Sequence, residues 1–257
     1  MTSMLATIRA ARRLAGTAAA LAAVALPLGA QMSAGGDGKP TVAIIDFTNA
    51  ALVRHADYAP LSTGIAEVLI TELSGNPRVR VVERDQLQKL MEEQNLGAGG
   101  RVDKETAAKI GKILGARHFI TGAFVIDTKE RIRLDVRSIN TETSEIEYTQ
   151  SVTGKADDVL ALIDQLADKI NLGLNLPAIP SGTRSSYVTP PPAKNGTPKV
   201  DQVRAMLALG RGLQAHDAGN TAVAVASYRE AVQAYPNFER AKVLLASAET
   251  GKPANNQ

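Results

Sequence analysis

The chain has no cysteine and no tryptophan, and only three histidines in 257 residues. Without cysteine there can be no disulfide, no thiolate metal site, no cysteine nucleophile and no lipidated cysteine of the kind that anchors many exported bacterial proteins. His55, His118 and His216 show no HExxH or other paired spacing, which argues against a histidine-based metal centre. The phosphate-cradling loop is missing as well: Gly111-Lys112 and Gly154-Lys155 have Thr106 and Thr149 where the earlier glycine is required. No GxSxG elbow and no GxGxxG after a strand occur. The expectation is therefore no catalytic residue, no metal and no cofactor. Asp46, at the end of the first predicted strand, is where α/β enzymes often place an acid, so a hydrolase is one alternative. With no second carboxylate or base at a matching strand end, a cap or loop contact is the favoured role. Glu83 and Arg84 read as a solvated strand end, and the "GAGG" at 97–100 as a turn.

Long apolar runs are also missing. The stretch from Leu14 to Leu28 falls short of the roughly 20 residues that span a bilayer. It follows Arg9, Arg12 and Arg13 with no acid, which is the layout of a secretory signal, and small residues place the cut after Ala30. Without those three arginines, the remainder of the 29 basic residues equals the 26 acidic ones, so the exported chain is formally neutral. Nucleic acid is not an expected partner, since its binding needs a clustered basic footprint.

What is present is an ordered alternation of strands and helices. A spacer at 31–40 leads into "TVAIIDF", an apolar run suited to a buried strand. Leu61, Ile65, Val68, Leu69 and Leu73 then recur at helical spacing. "RVRVVERD" reads as a second strand, followed by helices over 85–96 and 103–114. Three extended segments follow, at about 118–127, 130–140 and 144–153. The middle one alternates, with Ile132, Leu134 and Val136 on one face and Arg131, Arg133, Asp135 and Arg137 on the other. A helix over 156–172 closes the segment 41–172. The order predicts an α/β fold, a three-layer-type domain with a mixed sheet. Residues 173–199 hold six of the twelve prolines and read as an extended linker. Residues 251–257 read as an unstructured tail.

Between them, residues 200–250 carry an almost wholly helical pattern that resembles a tetratricopeptide repeat. Gly212, Ala224, Tyr228, Ala231 and Pro236 stand at the family's spacing, and Ala208 replaces its large aromatic. Small residues let two antiparallel helices approach, Tyr228 fills the gap, and Pro236 ends the second helix. The resemblance implies protein binding along the first helix, through Met206, Leu209, Leu213, His216 and Asp217. The alternative for these positions is packing on the first domain, because a lone repeat must bury surface somewhere.

The runs "VAIIDF", "LSTGIAEVLITEL", "VRVVERDQLQKLMEEQNL", "ETAAKIGKILGARHFITGAF" and "RLDVRSINTETSEI", in that order and over about residues 41–172, resemble the CsgG family of curli secretion and assembly proteins. The resemblance implies an exported, homo-oligomeric, non-enzymatic component of the Gram-negative envelope with protein partners. In pore-forming members, long insertions supply barrel hairpins. Here the chain between Ala116 and Gly154 has room for three strands and two tight turns. If those strands complete a water-facing sheet, none remain to cross the outer membrane. The expected function is then that of a periplasmic scaffold, at most peripherally associated with that membrane, and the alternative is a subunit of a curli-type secretion channel.

Overall fold

Four consecutive apolar or β-branched residues, "TVAI", form β1 (Thr41–Ile44), and all four are buried because the strand is central and covered on both faces. In the computed structural model, residues 38–93, 102–178, 201–252 and 254 are described. The proposed signal segment, most of the spacer, the turn at 97–100 and most of the proline-rich linker lie outside the described residues.

After β1 come β2 (Thr48–Asn49), α1 (His55–Tyr58), α2 (Leu61–Ser74), β3 (Arg80–Val81), α3 (Arg84–Glu93) and α4 (Lys104–Ile113). Three long strands follow, β4 (His118–Ile126), β5 (Arg131–Asn140) and β6 (Glu145–Lys155), then α5 (Val159–Gly173). The remaining helices are α6 (Gln202–Asp217), α7 (Thr221–Ala234) and α8 (Glu239–Thr250). The fold is α/β with a mixed sheet, as its sequence pattern predicts. Strand order is β3-β1-β4-β5-β6, with β2 paired to β4. β1 runs parallel to β3 and β4, while β4, β5 and β6 form an antiparallel meander.

The expected strand at "RVRVVERD" shrinks to two residues, because Glu83 turns the chain and its carbonyl accepts the first backbone bonds of α3 from Gln86 and Leu87. β5 keeps its predicted alternation, with Ile132, Leu134 and Val136 buried and Arg131, Arg133 and Arg137 exposed. Its apolar face joins β4, α2 and α5 in one core with Ile65, Leu69, Phe124 and Ile163. The opposite face carries a smaller core of Ala43, Leu87, Ile110, Phe119 and Ile139 beneath α3 and α4.

α6 and α7 form a hairpin opened by two side-chain caps. Asp201 accepts from the Arg204 amide at 2.9 Å, and Asn220 from the Val223 amide at 3.2 Å. The hairpin packs outside α2, and its Ala205, Met206, Leu209 and Leu213 belong to the same core as the sheet residues. Two glycines permit this approach. The Met206 carbonyl lies 2.9 Å from where a Cβ on Gly64 would sit, and a Cβ on Gly210 would overlap the Pro60 carbonyl.

Candidate functional site

Polar side chains converge where the helical segment meets the sheet domain. Glu67, on the middle of α2, is 2% exposed. Arg240 at the start of α8 donates from Nε to its Oε1 at 2.6 Å, and Arg84, the first residue of α3, approaches its Oε2 with Nε at 3.5 Å. Arg84 also donates both terminal nitrogens to Asp217 at the end of α6, at 2.8 and 2.7 Å. Such a two-pronged pair is the geometry that guanidinium and carboxylate favour. Asp46, two residues beyond β1, accepts from the Thr63 hydroxyl at 2.6 Å, and Gln214 of α6 donates to that hydroxyl at 3.4 Å. The Tyr228 hydroxyl is buried beside these charges with no hydrogen-bond partner.

The electrostatics follow from burial and pairing. Burial opposes the charge on Arg84, but the Asp217 bonds and the charges of Asp217, Glu67 and Asp46 outweigh it and raise its pKa further. Burial pushes the Asp46 carboxyl above its ordinary 3.8, against the opposing pull of the Thr63 bond and Arg84. Burial likewise raises Tyr228. The cluster joins two arginines to two buried or half-buried carboxylates, with Asp46 at its margin. Its evident role is to lock α6, α7 and α8 onto the sheet domain.

Asp85, His216 and Asp217 bring three ligand-type atoms within 4.8 Å of one another. Both Asp217 oxygens are already held by Arg84, so a metal there would have to compete with a guanidinium for them. A separate groove of about 460 Å³ lies between α1, the 127–130 turn, the end of β6 and the α6–α7 hairpin. Its charges are mixed and largely paired: Arg204 and Arg211 both bond Glu230, at 3.0 and 2.8 Å.

Of the residues expected to present a partner surface, Met206 and Leu209 are fully buried and Leu213 nearly so, all within the core shared with the sheet domain. That face of α6 is covered by the chain itself, so the partner-facing assignment is corrected for these three to intramolecular packing. The cause is the glycine-mediated approach of α2 and α6. Asp217 is bound to Arg84, and His216 remains exposed. Among the repeat-signature residues, Gly212 lies under the Tyr228 ring with no room for a Cβ, Ala224, Tyr228 and Ala231 are buried, and Pro236 is exposed just past α7. Arg84, read from sequence as a solvated strand end, is 4% exposed at the centre of the cluster. The arginine following a β-branched run carried no signal of this, because its carboxylate partner lies 133 residues further on.

Residues 24–126 match the family described as the curli production assembly/transport component CsgG, and the match ends with β4. No curated protein matches the chain. Among solved structures, it is similar to the LpoB C-terminal domain from Escherichia coli, at 17% identity over 50% of this chain and 89% of that one, with a TM-score of 0.35. It is similar also to the PelC dodecamer from Paraburkholderia phytofirmans, at 15% identity over 55% of this chain and 90% of that one, with a TM-score of 0.32. TolB from Acinetobacter baumannii is similar at 14% identity over 58% of this chain and 30% of that one, with a TM-score of 0.37.

Proposed function

We propose that the protein is a non-enzymatic assembly or scaffold component of the Gram-negative envelope, exported to the periplasm and self-associating through its α/β domain. The CsgG match over residues 24–126 carries this reading. The sheet supports the scaffold form of it over the channel form: β4, β5 and β6 pair with one another and, through β4, with β1, so they complete the domain's own sheet. Among the described residues, no helix is long and apolar enough to cross a membrane. Partner proteins would meet the outward faces of the helical segment, where Val223 and Val243 are exposed, since the Met206, Leu209 and Leu213 face is occupied. Hydrolase chemistry at Asp46 is disfavoured by its setting, a carboxyl tied to Thr63 at an interface that holds the fold together.

Cell fractionation combined with single-channel recording tests the reading. The scaffold predicts a periplasmic or peripherally bound protein that gives no conductance in planar bilayers. Stable conductance steps from the purified protein would replace it with the secretion-channel alternative.

A further inference from the structure

The two edges of the sheet are unequal. Among the described residues, β3 closes one side with two residues, whereas β6 presents eleven on the other and pairs with β5 alone. A long edge without proline is a template for another strand unless something blunts it. Here the blunting is confined to one end, where the register with β5 shifts between Ser138 and Ile139. The central segment from Tyr148 to Val152 keeps regular pairing with β5.

The sequence of that edge is complementary to itself. Glu142 and Glu145 are exposed at the end where β6 begins, and Lys155 is exposed where it finishes, directly across from exposed Arg131 of β5. An antiparallel copy aligned about Gln150 sets Glu145 of each strand opposite Lys155 of the other, and it does so twice, with exposed Glu130, Asp157 and Asp158 flanking Lys155 and Arg131 at that end. A parallel copy would set like charges together. The same alignment pairs Tyr148 with Val152 on the α5 side and Thr149 with Ser151 on the other. Apolar surface continues along the edge: the Tyr148 ring lies on Gly173, leaving no room for a Cβ there, and the adjacent Leu172 is 75% exposed.

We infer that β6 is a self-association edge, pairing antiparallel with β6 of a second copy about a two-fold axis at Gln150 to make one continuous sheet. This rests on the self-associating reading above and names its surface. It is an isologous contact, in which each strand meets an identical one.

The chain contains no cysteine, so Gln150→Cys introduces a single thiol. Residues directly opposite in an antiparallel pair are about 4.5–5.5 Å apart at Cα, within disulfide reach. Mild oxidation of the purified protein should give a covalent dimer from Gln150→Cys and little from Thr153→Cys, whose copy lies off the axis. By sedimentation, Glu145→Lys alone or Lys155→Glu alone should weaken association roughly tenfold, as two surface ion pairs are lost per dimer, and the two together should restore it. Thr149→Lys with Ser151→Lys should dissociate the pair while leaving the thermal transition of the monomer in place. If the protein sediments as a monomer even at high concentration, the self-association reading itself fails. If it associates but the Thr149→Lys, Ser151→Lys variant does so unchanged and Gln150→Cys forms no covalent dimer, β6 is overturned as the edge and self-association stands.

Discussion

A carboxylate on the buried face of a helix, such as Glu67, survives in a core only when opposite charge and hydrogen bonds replace the water it gave up. Arg240 and Arg84 supply them from two other helices. Removing one partner strands the other, so Arg240→Ala should cost about 3–5 kcal/mol, read as a lower urea midpoint at constant slope. Replacing Glu67, Arg84 and Arg240 together with apolar residues of similar volume should recover most of that loss. Asp46 makes a prediction of opposite sign. Its folded-state pKa lies above its ordinary 3.8 because of burial, so the fold binds a proton more tightly than the unfolded chain. Its contribution to stability therefore falls as pH rises from near 3.8 through the raised value, and the penalty is complete above it. Asp46→Asn, which can still accept from Thr63, should be less sensitive to pH across that window, with its advantage over the native chain larger at pH 7 than at pH 3.5 in paired urea titrations. The sequence located Asp46 at a strand end and favoured a contact role. It could not place Arg84, because burial there is decided by Glu67 on a different helix and by Asp217, which lies 133 residues further on.

Strong local patterns decided most elements, and their limits appear where two elements share one stretch. The alternation in β5 and the helical spacing of α2 and α5 needed no distant partner to be read. The β-branched run before α3 looked like a full strand, yet only Arg80 and Val81 pair, with Thr41 and Val42 of β1, because the chain turns at Glu83 into α3. β2 and α1, at two and four residues, are too short to leave a period. The packing of α2 against α6 was likewise hidden, because Gly64 and Gly210 stand within helices and signal close approach only once both are seen together. Gly210→Ala puts a methyl group against the Pro60 carbonyl. Helix propensity alone would favour that change by up to about 1 kcal/mol, so a net loss of about 1–3 kcal/mol would identify overpacking at this contact. Hydrogen exchange should show α6 and α7 opening more often in the variant, with β4 and β5 unchanged.

At the scale of the whole chain, the question is whether the helical segment from Gln202 to Thr250 is a domain in its own right. One helical hairpin plus a helix falls below the three or so repeats that usually hold together alone. The structure meets that shortage by enclosing Met206, Leu209, Tyr228 and Phe238 in the same core as Leu61, Leu69 and Leu166 of the sheet domain. The Glu67, Arg84, Arg240 and Asp217 cluster then seals the junction with charges that need partners from both sides. Two parts that share a core and a buried ion network should unfold together. Calorimetry on the intact protein should therefore give one transition whose van't Hoff and calorimetric enthalpies agree. The isolated segment 201–257 should lack a cooperative thermal transition by circular dichroism and gain helix when a fragment ending at 178 is added. A segment that melted cooperatively alone, or two resolved transitions in the intact chain, would mean that the helices are an independent module merely resting on the sheet. In that case the Met206 and Leu209 face would again be open to a partner protein.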